Sequence, residues 1–322
     1  MRYLSLAGLI GGLGLAAWLV ERVGMPAIGA ALGAVGWTGM LAVVAVHLVA
    51  TALMGLAWWN QRQLGRPAIF AWGRLVRDAG SEVLPLTQLG GCLLAAQVLI
   101  QEGIAAATAT ASILVDAIVE FLAQLAYVAL GLVLIQRLSP AAPALPALWA
   151  MLGIACLIAG AGIALRRGGP AGMPRFAGRI AGRWLSAAGR LAATVRSEID
   201  EIHRARHRLS LSFALHLAAW LVSGVEAWLA LRFMGAPLGL AAVLAIESLV
   251  YGTRSLAFLV PNAIGVQEGA YMILGTALGL TPELALGLSL LKRARDLALG
   301  LPTLAIWHLL RSRRWSLGSS EA

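Results

Sequence analysis

Charge is scarce in this chain. Asp, Glu, Lys and Arg together make up 12% of its 322 residues, while 60% are hydrophobic. A soluble globular domain carries about twice that charged fraction, so water is excluded as the solvent of most of the chain. Cysteine is nearly absent as well. Cys92 and Cys156 are the only two and both lie inside apolar runs, which excludes a disulfide framework and a cysteine-built zinc site. Short alternating segments are missing, and with them a membrane β-barrel. The patterns HExxH, GxSxG, GxxxxGKS/T and paired CxxC are missing too, which removes support for a metalloprotease, a serine hydrolase or a nucleotide-driven pump. No cofactor or metal is expected, and the chain is expected not to be an enzyme.

What the chain has is apolar length. Runs long enough to cross a hydrocarbon core of about 30 Å as helix occur at residues 4–20, 37–59, 112–135, 146–165, 209–233, 239–259 and 297–310. The expected class is all-α: a polytopic integral membrane protein with about seven or eight transmembrane helices. Its single membrane domain would divide into a first half to residue 165, a basic loop at 166–208, a second half at 209–312 and a short tail. The first run lacks a cleavage site of small residues, so it is expected to stay as a helix and not as a signal peptide.

The net charge of +10 does not point to nucleic acid, because the arginines cluster beside apolar spans, where they orient a membrane protein. Between Arg166 and Arg208 ten arginines face three acids, Glu198, Asp200 and Glu201. That loop, the stretch 60–78 with Arg62, Arg66, Arg74 and Arg77, and the tail with Arg311, Arg313 and Arg314 are expected on the cytoplasmic side of a bacterial inner membrane. Within the loop, residues 178–208 suit either an amphipathic helix on anionic lipid heads or a solvated connector. Trp18, Trp37, Trp58, Trp59 and Trp307 lie near span ends, where indole rings favour the interface.

With cytoplasmic ends at both Arg77 and Arg166 and two spans between them, residues 83–108 should enter and leave on one side as a re-entrant hairpin. A second irregular stretch, 262–291, runs into the charged run Lys292 to Asp296, and parity there stays open. The two stretches are approximate echoes. EVLPLTQLGG at 82–91 and FLVPNAIGVQEG at 258–269 each set a proline, Pro85 or Pro261, four or five residues before a glycine, Gly90 or Gly265. Such paired broken helices mark transporters built from structural repeats.

Ionisable residues also stand where lipid should be. Asp116, Glu120 and Gln124 share one helical face, and each charge at membrane depth costs at least about 2.5–3.5 kcal/mol unless it finds a partner or a cavity. Glu247, Tyr251 and Arg254 or Ser255 form a comparable stripe, followed by Glu268, Lys292, Arg293, Arg295 and Asp296. Lys292 and Asp296 are spaced to neutralise each other. Arg254, Arg293 and Arg295 are candidates for an anionic headgroup. His47 and His216 are expected to make helix-packing hydrogen bonds, and His203 and His207 to be solvated.

These motifs carry a resemblance. The stretch from EVLPLTQLGG to ASILVDAIVE, and the stretch FLVPNAIGVQEGAYMILGTALGLTPELALGLSLLKRARDLALG, are similar to the lysylphosphatidylglycerol-synthase-type membrane domain. They resemble most the hopanoid-biosynthesis-associated branch of that superfamily. The resemblance implies re-entrant elements and kinship with domains that move aminoacylated phospholipids between leaflets. It places the substrate path on Pro85, Gly90, Gly91, Asp116 and Glu120 in the first half. In the second half it names Pro261, Gly265, Glu268, Gly269, Arg293 and Asp296, to which the charge stripe adds Arg254 and the proline-glycine motif Asn262. Many relatives carry glutamate where Gly91 stands, and the aminoacyltransferase domain of full-length synthases is not in this sequence. The expected function is a lipid translocase or lipid-transport accessory protein, with membrane lipids, hopanoids among them, and lipid-biosynthesis enzymes as partners. A lipid-modifying transferase with Asp116, Glu120 or Glu268 as base, and a scaffold docking through its basic loop, are the alternatives.

Overall fold

The computed structural model describes residues 2–83, 88–138, 204–257 and 260–318, with scattered positions between 146 and 202. Among the described residues there are nine α-helices and no strand. They are α1 (Arg2–Val23), α2 (Met25–Asn60), α3 (Pro67–Glu82), α4 (Gln88–Gln101), α5 (Ala106–Leu138), α6 (Arg206–Phe233), α7 (Leu240–Leu256), α8 (Val266–Ala277) and α9 (Pro282–Gly318). Three of these, α2, α5 and α6, are long and apolar enough to cross a membrane by length and composition. The span expected at 146–165, the amphipathic stretch from 178 and Pro85 lie mostly or wholly outside the described residues.

Backbone chemistry sets the element ends. Gly24 at φ 92° and Pro26 separate α1 from α2, and Gly36 at φ 59° breaks α2 one residue before the run expected from 37. Pro67 opens α3 at a position where its missing N–H costs no hydrogen bond. Gly265, at φ 79°, precedes α8, and its N–H donates to Glu268 Oε2 at 2.7 Å. A carboxylate there satisfies one of the donors that a helix start leaves open.

α2 and α6 run antiparallel along each other. Asn60 Nδ2 donates to the Arg208 carbonyl (2.8 Å) and Ser212 Oγ to the Ala57 carbonyl (2.7 Å) at one end, and Gly39 lies against Phe233 at the other. Each is followed by a helical hairpin, α3–α4 after α2 and α7–α8 after α6, and then by a long helix, α5 or α9. The contacts repeat under exchange of the halves. α3 packs on α4 and α7 on α8; α5 packs on α6 and α9 on α2; α3 packs on α9 and α7 on α5. Because α2 and α6 are antiparallel, the hairpins start from opposite ends of the bundle. Their tips meet: Asn262 Nδ2 donates to the Glu82 carbonyl at 2.8 Å.

Several sequence expectations are corrected here. Residues 67–82 are not an exposed basic segment but the first arm of the first hairpin, which therefore comprises α3 and α4 and not 83–108. The stripe on α3, with Phe70, Gly73, Val76, Ala79 and Gly80 buried, packs against protein, and its arginines go inward with it. In the second half, α7 is a hairpin arm of 17 residues ending at Leu256 and not a span to 259. The hairpin closes at α8, so 262–291 does not form one element. α9 runs without interruption through Lys292 to Asp296 from Pro282 to Gly318, so those charges lie inside a long helix. Trp58 is a core residue, 1% exposed, donating through Nε1 to Ser112 Oγ at 3.2 Å, so it is not an interface anchor. Trp37, by contrast, is 86% exposed.

Helix association inside lipid gains little from apolar burial and rests on close packing and polar contacts. The tightest approach within the first hairpin is at Gly91, where a Cβ would stand 2.3 Å from the Arg77 carbonyl oxygen and 2.2 Å from Ser81 Oγ. Gly91→Ala should therefore pry α3 from α4 and destabilise the protein by about 1–3 kcal/mol. Gly29→Ala, with nothing near its Cβ, should stay within about 1 kcal/mol of wild type. Thermal unfolding of both variants in detergent checks the contrast.

Candidate functional site

Most charged side chains in the bundle interior are paired. On α5, Asp116 accepts from Arg77 Nη1 (3.2 Å), Gln61 Nε2 (3.0 Å) and His216 Nε2 (3.0 Å). One turn on, Glu120 accepts from Arg74 Nη2 (2.8 Å) and lies 2.9 Å from Arg77 Nη1. Gln124 Nε2 then reaches Ser255 Oγ (2.7 Å) and the Tyr251 carbonyl (3.1 Å) on α7. The face that sequence periodicity assigned to these three residues is thus buried against α3, α6 and α7. Asp116, 1% exposed, does not snorkel to an interface.

The second half repeats this plan with the signs exchanged. Asp116 stands 13 residues after Gly103, and Lys292 stands 13 after Gly279; both glycines have positive φ and end the second hairpin arm. In the first half the arm α3 brings the cations and the long helix α5 the anions. In the second, the arm α7 brings the anion Glu247 and α9 the cation Lys292, with Tyr271 also donating to Glu247. Lys292 is therefore not paired with Asp296; α7 approaches it more closely than the next turn of its own helix does. Asp296 is held by Arg295, which also binds Glu226 on α6. Arg293 clasps Glu268, whose other contacts are the Gly265 amide and Ser289 Oγ.

Arg254, at the end of α7, donates to both oxygens of Glu82 (2.7 and 3.0 Å) and to Asn262 Oδ1 (3.2 Å). Asn262 adopts φ 51°, a left-handed conformation that asparagine tolerates and most residues avoid. Arg254, Glu82 and Asn262 thereby latch one tip to the other. Behind the latch a small cleft of about 30 Å³, open on one side, is lined by His47, Thr51, Asp78, Glu82, Asp296 and Thr303 together with Leu75, Ala79, Leu299 and Gly300. Its walls come from α2, α3 and α9.

The remaining expected positions fall into place around this frame. Pro261 is buried in the short 3-10 turn at the second tip, and Gly265 starts α8. Gly90 and Gly91 lie on α4, Gly91 in the tight contact with α3. Gly269 faces Leu15 of α1, away from the charged cluster. Arg254, Arg293 and Arg295, the candidates for a headgroup, each hold a carboxylate. His47 and His216 do make inter-helix hydrogen bonds, to Glu226 and Asp116. Sequence reasoning missed Arg74, Arg77, Glu82 and Glu226. Glu226 carried a signal, as the one acid in the apolar run 209–233; the α3 arginines had one in the small and apolar residues that share their helix face.

With this geometry in view, comparison with known families decides the assignment. A family model described as the lysylphosphatidylglycerol synthase TM region matches residues 5–303. The chain belongs to this family. As a lysylphosphatidylglycerol synthase TM region it is a helical membrane protein of lipid-related function, and the match spans both hairpins, the latch and the cleft. No match is found among curated proteins. Within the lysylphosphatidylglycerol synthase TM region of this chain, the ion pairs are the part whose removal has a calculable cost.

Breaking a buried pair from one side leaves an uncompensated charge and costs about 3–5 kcal/mol, whereas replacing both partners by apolar residues of similar volume is near neutral. Glu247→Ala, which strands the 3% exposed Lys292, is expected to destabilise by about that amount. Glu247→Leu combined with Lys292→Met should recover most of it. Thermal or denaturant unfolding of the single and double variants measures both.

Proposed function

We propose that the protein is a lipid translocase of the bacterial inner membrane, acting without covalent chemistry, whose polar headgroup path runs between the two hairpin tips. The observation that carries this reading is the latch. Two hairpins from opposite ends of the bundle meet through Glu82, Arg254 and Asn262 beside a small cleft that His47, Asp78, Glu82 and Asp296 line together with apolar side chains. Breaking that contact joins the two ends by a route along paired charges, while lipid chains stay outside among exposed apolar residues such as Leu93 and Ile273. Guanidinium groups that release a carboxylate are suited to take a phosphate or carboxylate in its place. Arg254, at the tip, is the first to do so, and Arg293 the next.

By the positive-inside rule, the end carrying Arg62, Arg66, Arg204, Arg206, Arg208 and Arg311 is cytoplasmic, which puts the start of α3 there and the start of α7 on the far side. A polycyclic lipid of the hopanoid kind is the substrate that the sequence resemblance favours. Membership of a membrane-lipid family supports the class of function.

In vesicles of phosphatidylethanolamine and phosphatidylglycerol, the purified chain is expected to accelerate leaflet exchange of headgroup-labelled phospholipid and hopanoid analogues. Arg254→Gln should slow it by about tenfold or more, the equivalent of one charge-assisted hydrogen bond lost from the barrier state. Dithionite quenching of the outer-leaflet label reads the rate; no acceleration of any analogue by folded wild-type protein would refute the proposal.

A further inference from the structure

We infer that His47, backed by Glu226, is a proton-binding site on the wall of the cleft, and that the protein takes up a proton there as its coupling ion. The coupling rests on the translocase reading; the proton site does not.

His47 Nδ1 lies 3.0 Å from Glu226 Oε2. A carboxylate accepts, so Nδ1 carries the hydrogen and Nε2 is the nitrogen left to gain one. Nε2 has no hydrogen-bond partner among the described residues, and the His47 side chain, 21% exposed, lines the cleft. Glu226 cannot turn away when the proton leaves, because its other oxygen is held by Arg295.

Each carboxylate near His47 is held by an arginine: Glu226 from α6 and Asp296 from α9 by Arg295, Asp78 from α3 by Arg74, and Glu82 from α3 by Arg254; Lys292 stands behind Glu226. Imidazole is the side chain that gains a proton between about pH 5 and 8, and the His47 ring reaches the cleft with one nitrogen open.

His216 is the internal contrast. It too donates to a carboxylate, Asp116, but its Nδ1 is buried without a hydrogen-bond partner and the side chain is fully enclosed. A second proton there would be an unsatisfied buried donor with no route in. His47 has both the open nitrogen and the route.

The test uses the full chain in detergent with 15N-labelled histidine, followed by NMR from pH 5 to 8, with His47→Gln identifying the His47 signals. Should that variant fail to fold, substitutions at the other four histidines, His203, His207, His216 and His308, leave the same assignment. The expected result is that both His47 nitrogens move to the imidazolium position as pH falls while those of His216 stay. A His47 ring that keeps neutral-imidazole shifts throughout overturns the site. Coupling is read in the vesicles above with a pH step imposed in either direction: a several-fold difference in lipid exchange between the two directions supports it, and equal rates overturn it. Absence of any lipid exchange would defeat the translocase reading and the coupling together, leaving the NMR result to decide the proton site alone.

Discussion

A charge placed in hydrocarbon must find its opposite, and the architecture of this bundle follows from that requirement. Asp116 and Glu120 sit in the middle of an otherwise apolar run on α5 and are made tolerable by Arg74 and Arg77 of α3. For the arginines to reach them, α3 has to lie at the depth of α5's third and fourth turns, so a segment as polar as 67–82 is drawn into the bundle. Lys292 and Glu247 impose the same condition on α9 and α7. Each half thus solves one electrostatic problem with the signs reversed, and the reversal leaves each half's hairpin arm free to pack on the other half's long helix.

Pairing alone does not hold helices together, since a buried pair roughly balances its own desolvation. The close approaches do more of that work. Gly91 against Arg77, Gly131 against Ser248 and Gly300 against Val83 and Ala79 bring backbones within reach of one another, the mode of association open to helices in lipid. The first holds α4 on α3 and the other two hold the arms on the long helices, whereas the tip contact of Glu82, Arg254 and Asn262 consists of an ion pair and hydrogen bonds, one of them to the Glu82 carbonyl. The arms are thus held by close packing and the tips by polar contacts.

Sequence reasoning recovered the helical membrane class, the existence of two broken elements and the inward face of Asp116, Glu120 and Gln124, because each depends on local periodicity or on the cost of a charge in lipid. It went wrong where pairing is long-range. Arg74 and Arg77 look like interfacial cations until α5 supplies their carboxylates some 40 residues later, and that error displaced the first hairpin. Lys292 has a plausible partner one turn away in Asp296, yet Glu247 takes it from another helix. The charged run from Lys292 to Asp296 left the parity of the second half open, and the packing of α9 on α2, α3 and α8 puts it in the interior of the bundle. Pro85, central to the resemblance, lies outside the described residues.

The central claim is that the tips part to let a headgroup through. The most direct measurement joins them: cysteines at Val83 and Asn262, in a chain with Cys92 and Cys156 replaced by serine, linked by a reducible bifunctional thiosulfonate in lipid vesicles. The linked protein should move no labelled lipid, and reductant should restore the rate of the unlinked form. Lipid exchange that continues at the same rate with the tips joined would contradict passage between them.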